Sequence, residues 1–172
     1  DASTLDGARA AVEATFRAEG FHGELDVLVL NHATVPRGWM LPENVSEAPA
    51  YAVGHMDESM GSLAELETVF KVNSLSYMHL ATLATPALVR SGGRGNAGGQ
   101  LVVVSSAAGK LGIPKVAAYS ASKHALHGFF DSLRLEIMAK QLPISVTLCV
   151  LGNIDTESNR RSTAGELKRA LP

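Results

Sequence analysis

The sequence predicts an α/β fold, a partial doubly wound parallel sheet with helices on both faces. Three short runs are apolar at almost every position, as strands buried on both sides of a sheet are; they lie at 25–30, 101–104 and 144–150. Long segments with helical spacing of apolar side chains separate these runs, and such alternation is typical of parallel sheets. The 172 residues, of which 46% are hydrophobic, can form a single domain with a buried core.

The first sixty residues predict a helix, a strand and an irregular insertion. Residues 2–19 have apolar side chains at helical spacing, and glycines follow them, as is common after the last turn of a helix. The strand at 25–30 ends at Asn31. Three prolines and three glycines interrupt the next segment, which shows no periodicity, so 34–61 is predicted to be an irregular insertion.

The remaining elements alternate between helix and strand. Ser62 and Glu65 form a capping box, which predicts a helix from about Leu63 to Val89, and Pro86 is a place where this helix can kink. The elements predicted after it are a strand at 101–104 that closes at Ser105 and Ser106, a helix over 116–140, a strand at 144–150 and a final helix near 156–171.

Composition narrows the possible functions. A net charge of −2 gives no electrostatic reason to expect nucleic acid or an anionic membrane surface as a partner. The single cysteine, Cys149, lies in an apolar run and is interpreted as a small buried hydrophobe, so no disulfide forms within the chain. The histidines on the predicted third helix have too few companion ligands for a metal site, and no metal is predicted.

Tyr119 and Lys123 form the most informative pair in the chain. Four residues apart on a helix, they share one face, where an ammonium can lower the phenol's pKa from its usual value of about 10. Such a tyrosine can exchange a proton with a carbonyl or alcohol oxygen. The motif alone is weak, because an exposed helical pair has the same spacing. Ser106 at the end of a buried strand and Asn73 in the middle of a helix favour a site.

Several longer runs resemble the short-chain dehydrogenase/reductase superfamily, whose sheet is Rossmann-like, and within it the 11-beta-hydroxysteroid dehydrogenase branch. The similar runs are Val102–Lys110, Val116–Lys123, Ser145–Gly152 and Ile154–Glu157, with shorter similarities at Leu30–His32 and Val72–Tyr77. The resemblance covers most of the chain apart from 34–61 and a glycine-rich loop at 91–99. It implies an oxidoreductase that interconverts a hydroxyl and a ketone on a steroid or a similar lipophilic substrate.

The resemblance also implies roles for individual residues. Tyr119 would be the general acid or base, Lys123 would support it and hold the nicotinamide ribose, and Ser106 would donate to the substrate oxygen. Asn73 would support the helix and a water that relays protons to Lys123. The implied cofactor-binding residues are Asn31, Ala33, Tyr119, Lys123, Ile154 and Thr156. The implied cofactor is NADP, with NAD left open.

No strand followed by a glycine-rich turn and a helix is present to hold the cofactor's phosphates. The chain therefore resembles the C-terminal part of the family's fold, and its strand at 25–30 is expected to have an apolar edge. We expect the activity to belong to the intact parent. The alternative is an inactive, truncated pseudo-enzyme that acts at most as a binding module. The resemblance alone suggests a homo-oligomeric parent in the endoplasmic reticulum membrane or the secretory pathway.

Overall fold

The computed structural model describes residues 1–18, 22–37, 40, 63–92, 98–155, 157 and 160. Its elements follow the alternation that the sequence predicts. In chain order they are α1 (Leu5–Phe16), β1 (Val27–Leu30), α2 (Leu63–Phe70), a π-helical turn (Lys71–Leu75), α3 (Ser76–Gly92), β2 (Gly99–Ser106), a 3-10 turn (Ala107–Gly109), α4 (Ala117–Ala139) and β3 (Ile144–Leu151).

The three strands form one parallel sheet in the order β1–β2–β3. Leu30 lies beside Val103, which in turn lies beside Leu148, and the last residue of β2, Ser106, lies beside Leu151. The carboxyl ends of all three strands therefore meet at one edge of the sheet, where ligands bind in open α/β folds. The predicted parallel α/β class is confirmed.

One face of this sheet is packed against helices, and we call it the covered face. Leu30, Leu101 and Val103 on this face are buried. They form one core with side chains of α3 and α4, namely Tyr77, Ala81, Leu88, Leu126 and Phe130. Burial of these aliphatic and aromatic groups is the main source of stability of the fold.

The opposite face, which we call the open face, carries the alternate residues of the strands. Val27 and Val29 of β1 are 44% and 56% exposed, and Val102, Val104 and Cys149 are half-buried. Among the described residues no helix covers these side chains, because α1 packs against α3 and contacts no strand. The helices predicted for the second face are thus not found in the described part of the chain.

Element boundaries differ from the predictions at several places. The first helix is shorter than 2–19 because it starts after Thr4, whose Oγ1 accepts a hydrogen bond from the Gly7 N–H at 3.1 Å. The strand predicted at 101–104 extends over Gly99–Ser106, because every one of its residues pairs with β3.

The long helix predicted from Leu63 to Val89 is divided by the π-helical turn and then continues through Pro86 to Gly92. Three predictions fall wholly or largely outside the described residues: the cap at Ser62, the structure of most of 34–61, and the final helix near 156–171, of which only Glu157 and Arg160 are described.

Candidate active site

The carboxyl ends of the strands open into a cavity of about 540 Å³. Helix α4 presents Tyr119 and Lys123 to it, and the end of β2 presents Ser106. Of the residues that the sequence predicts for this site, the lining includes Asn31, Ala33, Ser106, Tyr119, Lys123 and Ile154. A volume between roughly 300 and 1,000 Å³ is typical of pockets that hold small molecules.

Lys123 is the most deeply placed of the polar side chains in this cavity. It is only 2% exposed, and its Nζ donates a hydrogen bond to the backbone oxygen of Val104 at 2.9 Å. The Nζ lies 5.8 Å from the centre of the Tyr119 ring. Burial disfavours the charged ammonium and lowers the pKa of Lys123 from 10.5 to about 8.

Ser106 occupies the junction of β2 and the 3-10 turn. Its Oγ accepts a hydrogen bond from the Ala108 N–H at 3.2 Å, which leaves its hydroxyl proton available to a ligand. The turn packs closely on α4 because of Gly109. A Cβ at that position would lie 2.9 Å from the backbone oxygen of Lys123 and 3.0 Å from Ser105 Oγ, so glycine is required here.

Asn73 lies in the π-helical turn and is fully buried. The Thr34 N–H donates to its Oδ1 at 2.8 Å, and its Nδ2 donates to the Thr34 backbone oxygen at 2.8 Å and to Ser122 Oγ at 3.3 Å. These bonds explain why an asparagine is placed in mid-helix, and π turns often mark functional positions. Asn73 therefore joins the segment after β1 to α4. Its predicted part in a proton relay stays a prediction.

The segment after β1 forms one wall of the cavity. Every second residue from Asn31 to Arg37 lines it, which is the pattern of an extended chain with one side toward the cavity. The segment after β3 forms the facing wall through Leu151, Gly152, Asn153 and Ile154. Thr156, the last of the predicted cofactor-binding residues, lies outside the described part of the chain.

Two residues that the sequence analysis did not assign to the site lie directly behind Lys123. Tyr77 is fully buried, and its ring centre is 5.0 Å from Lys123 Nζ. Its hydroxyl donates to the backbone oxygen of His32 at 2.5 Å, and the two rings lie 4.6 Å apart. Burial, and secondly the charge of Lys123, lower the pKa of His32. The available signal was the position of Tyr77, four residues after Asn73 on one helix face.

Among the described residues, no three His, Cys, Asp or Glu side chains lie close enough together to hold a metal ion. None of the helices in the described ranges combines the length and the apolar character needed to cross a membrane.

Sequence comparison identifies relatives of this chain. The family model of the short chain dehydrogenases matches residues 1–167. The hydroxysteroid 11-beta-dehydrogenase 1-like protein of Xenopus tropicalis is 41% identical over 136 residues, which are 79% of this chain and 39% of that protein. The protein of the same name from Gallus gallus is 38% identical over 145 residues, 84% of this chain and 42% of that protein. The chain thus spans about two fifths of the length of these curated relatives.

Solved structures share the fold. An NADH-dependent reductase, A1-R′, complexed with NAD, superposes with a TM-score of 0.68 at 20% identity, covering 90% of this chain and 56% of that one. The aldohexose dehydrogenase of Thermoplasma acidophilum superposes with a TM-score of 0.72 at 23% identity, covering 100% and 56%. These likenesses confirm the Rossmann-like fold, and the resemblance found in the motifs is confirmed by the family model and the two relatives. The chain belongs to the short-chain dehydrogenase family, in its 11-beta-hydroxysteroid dehydrogenase branch.

Proposed function

We propose that this chain carries the proton-transfer half of a nicotinamide-dependent oxidoreductase that interconverts a hydroxyl and a ketone on a steroid or similar lipophilic substrate. The observation that carries the proposal is the meeting of Ser106, Tyr119 and Lys123 in one cavity at the carboxyl ends of the strands. The names of the two hydroxysteroid dehydrogenase-like relatives support the choice of substrate class.

The donor set of the cavity fits the nicotinamide end of such a cofactor. An ammonium has three protons, so the bond from Lys123 to Val104 leaves two for ribose hydroxyls. Asn31 offers a further donor and acceptor, and Ala33, Val104 and Ile154 provide small or apolar surface for a flat ring. The cofactor supplies the hydride of the reaction. The identity of the branch favours NADP, and NAD is the alternative that a cofactor assay distinguishes.

The residues of the chain would handle the proton and the charge. Tyr119 donates its phenolic proton to the substrate oxygen during reduction and takes it back during oxidation. Ser106 donates a hydrogen bond to the same oxygen as negative charge develops on it. The positive charge of Lys123, 5.8 Å from the Tyr119 ring, favours the phenolate that proton donation leaves behind.

The walls of the cavity support a substrate with a large apolar surface. The apolar side chains that line the outer part of the cavity are Val35, Ile113, Pro114, Val116 and Leu151. Burial of such a surface against a bound substrate supplies affinity in proportion to the area removed from water. The polar groups that fix the reacting oxygen are confined to the inner end, as a site for a lipophilic ketone or alcohol requires.

The second candidate is a catalytically inactive binding module. Two observations favour it: the chain spans about two fifths of the length of its relatives, and it has no glycine-rich phosphate turn between a strand and a helix. In that case the cavity would hold a lipophilic ligand without turnover.

Replacing Tyr119 with phenylalanine in the full-length protein tests the proposal. The change removes only the hydroxyl, so we expect kcat for a panel of steroid alcohols and ketones to fall at least 100-fold, while the chain remains folded. Ser132→Ala, an exposed hydroxyl on the same helix, is the matched control and should keep full activity. Turnover is followed by the absorbance of the reduced cofactor, with NADP and NAD compared.

Two outcomes would count against the enzyme. Retained turnover in Tyr119→Phe would remove the tyrosine from the reaction. A wild-type protein that binds steroids but turns none of them over, with either cofactor, would support the binding module instead.

A further inference from the structure

The charge of Lys123 has unusual surroundings. Its ammonium is buried, and no described carboxylate lies within salt-bridge distance of it. A buried cation without a counter-ion is costly unless other groups stabilise it. The contacts that the structure gives to Nζ are the backbone oxygen of Val104 and the faces of two aromatic rings, those of Tyr77 and Tyr119.

The ring of Tyr77 is the nearer of the two. Its centre is 5.0 Å from Nζ, within the limit of about 6 Å for attraction between a cation and the negative face of an aromatic ring. The ring itself is held from several sides. It stands at the start of α3, directly after the π-helical turn, and it belongs to the hydrophobic core with Leu30 and Leu126.

A purely structural core residue at this position would not need a hydroxyl. The buried phenol of Tyr77 satisfies its hydroxyl by donating to the backbone oxygen of His32, in the segment that continues into the cavity wall. The hydroxyl therefore joins α3 to the wall, while the ring contacts the ammonium. The two parts of one side chain have separate tasks that separate substitutions can resolve.

We propose that Tyr77 is a positioning residue for the oxidoreductase reaction, whose ring stabilises the Lys123 ammonium at its place behind Tyr119. The inference rests on the proposed function for its effect on turnover. The contact between the ring and the cation stands on the geometry alone, and it is measured in the absence of any reaction.

The groups that face Lys123 from the elements around it determine what a titration measures. Tyr119 faces it from its own helix, Tyr77 from α3, the His32 ring from the end of β1, and the Val104 carbonyl from β2. Burial lowers the pKa of Lys123, and the aromatic face opposes this by favouring the charged form. Removal of the ring should therefore lower the pKa of Lys123 further.

The test compares Tyr77→Phe with Tyr77→Leu in this chain. Phenylalanine keeps the ring and loses the bond to His32, whereas leucine loses the ring and remains apolar. The chain is labelled with ¹³C at lysine Cε, Lys123→Met assigns the resonance, and its pKa is measured by NMR titration. We expect Tyr77→Phe to stay within about 0.3 units of wild type, and Tyr77→Leu to fall about 0.5 to 1.5 units lower.

A third variant keeps the test decisive if leucine prevents folding. Trifluorophenylalanine at position 77 preserves the size of the ring but weakens its negative face, so the pKa of Lys123 should lie between those of the other two variants. Equal titration of Lys123 with phenylalanine, trifluorophenylalanine and leucine at position 77 would overturn the proposal, because the ring would then not stabilise the ammonium.

The full-length enzyme supplies the readout that depends on the proposed function. Tyr77→Leu should lower kcat about 3- to 30-fold and shift the pH profile of turnover, with the KM of the steroid changed less than twofold. Tyr77→Phe should keep the wild-type profile. If the wild-type protein turns over no substrate, the proposed function fails while the NMR titration still decides the contact. An equal loss of kcat in both variants, without a shifted profile, would show a structural role only.

Discussion

The two faces of the sheet differ although they are built from the same kinds of residue. Val103 of β2 is fully buried on the covered face, whereas Val29 of the neighbouring β1 is 56% exposed on the open face. Both strands alternate between the faces with a period of two, so the sequence gives each face a similar apolar row. The difference arises from what packs on each row: α3 and α4 on one side, and no described helix on the other.

This difference separates the chemistry from the rest of the fold. The groups that position Lys123 and Asn73 come from α3, α4 and the segment after β1, and all of them lie among the described residues. The proton-transfer site is therefore supported by contacts of its own. The open face and the outer edge of β1 contribute no side chain to those contacts, and this is the part of the sheet where the chain's apolar surface has no described partner.

The largest effect is expected from the cation buried on the covered side. The pKa of Lys123 is about 8 in the folded chain, against 10.5 for an unperturbed lysine. Between these values the unfolded chain binds more protons than the folded chain, so the free energy of unfolding rises with pH over this window, by about 3 kcal/mol in total. Lys123→Met should remove this rise.

Chemical denaturation between pH 7.5 and 10.5 measures the effect as a difference from wild type. Lys140→Met, at an exposed position, is the control and should leave the wild-type rise in place. A Lys123→Met variant with the same pH dependence as wild type would mean that the ammonium is not held in a desolvated environment.

A matched pair of valines compares the faces directly. Val103→Ala removes two buried methyl groups from the core and should lower the free energy of unfolding by about 2 kcal/mol. Val29→Ala makes the same chemical change on the adjacent strand, where half of the side chain is already in water, and should cost about 0.5 kcal/mol. Urea titrations measure both, and equal losses would show that the open face is covered in solution.

Much of this organisation could be predicted from the sequence because it depends on local patterns. The three apolar runs became the three parallel strands, and the helix over 116–140 was found at Ala117–Ala139. The Tyr119 and Lys123 pair follows from helical spacing, and Ser106 from its place at the end of a buried strand. In each case the signal lies within a few residues of the feature that it predicts.

The features that could not be predicted depend on contacts between distant segments. Asn73 and Thr34 are 39 residues apart, and Tyr77 and Lys123 are 46 apart, so no periodicity connects them. The π-helical turn arises where Asn73 bonds to another segment, and the sequence pattern is that of one continuous helix. Coverage of the second face was also inferred from composition alone, since an apolar strand has the same residues whether or not a helix packs on it.

The smallest change in stability, with a clear effect on association, is expected from Val29→Thr. Threonine has nearly the shape of valine and favours strands, so the free energy of unfolding should change by less than about 0.5 kcal/mol. The added hydroxyl makes the open face less apolar. Because exposed apolar surface on an unpaired edge strand promotes self-association, the concentration at which the chain associates should rise several-fold in sedimentation velocity experiments.

A second exposed apolar residue shows whether this association belongs to the open face. Leu135 is 67% exposed on α4, on the other side of the molecule's core, and Leu135→Gln should leave the association unchanged. If Leu135→Gln suppressed association and Val29→Thr did not, the chain would associate through α4, and the open face would already be satisfied. The comparison of the two faces would then describe a difference in packing without a consequence in solution, because exposure at Val29 would carry no free energy that association could recover.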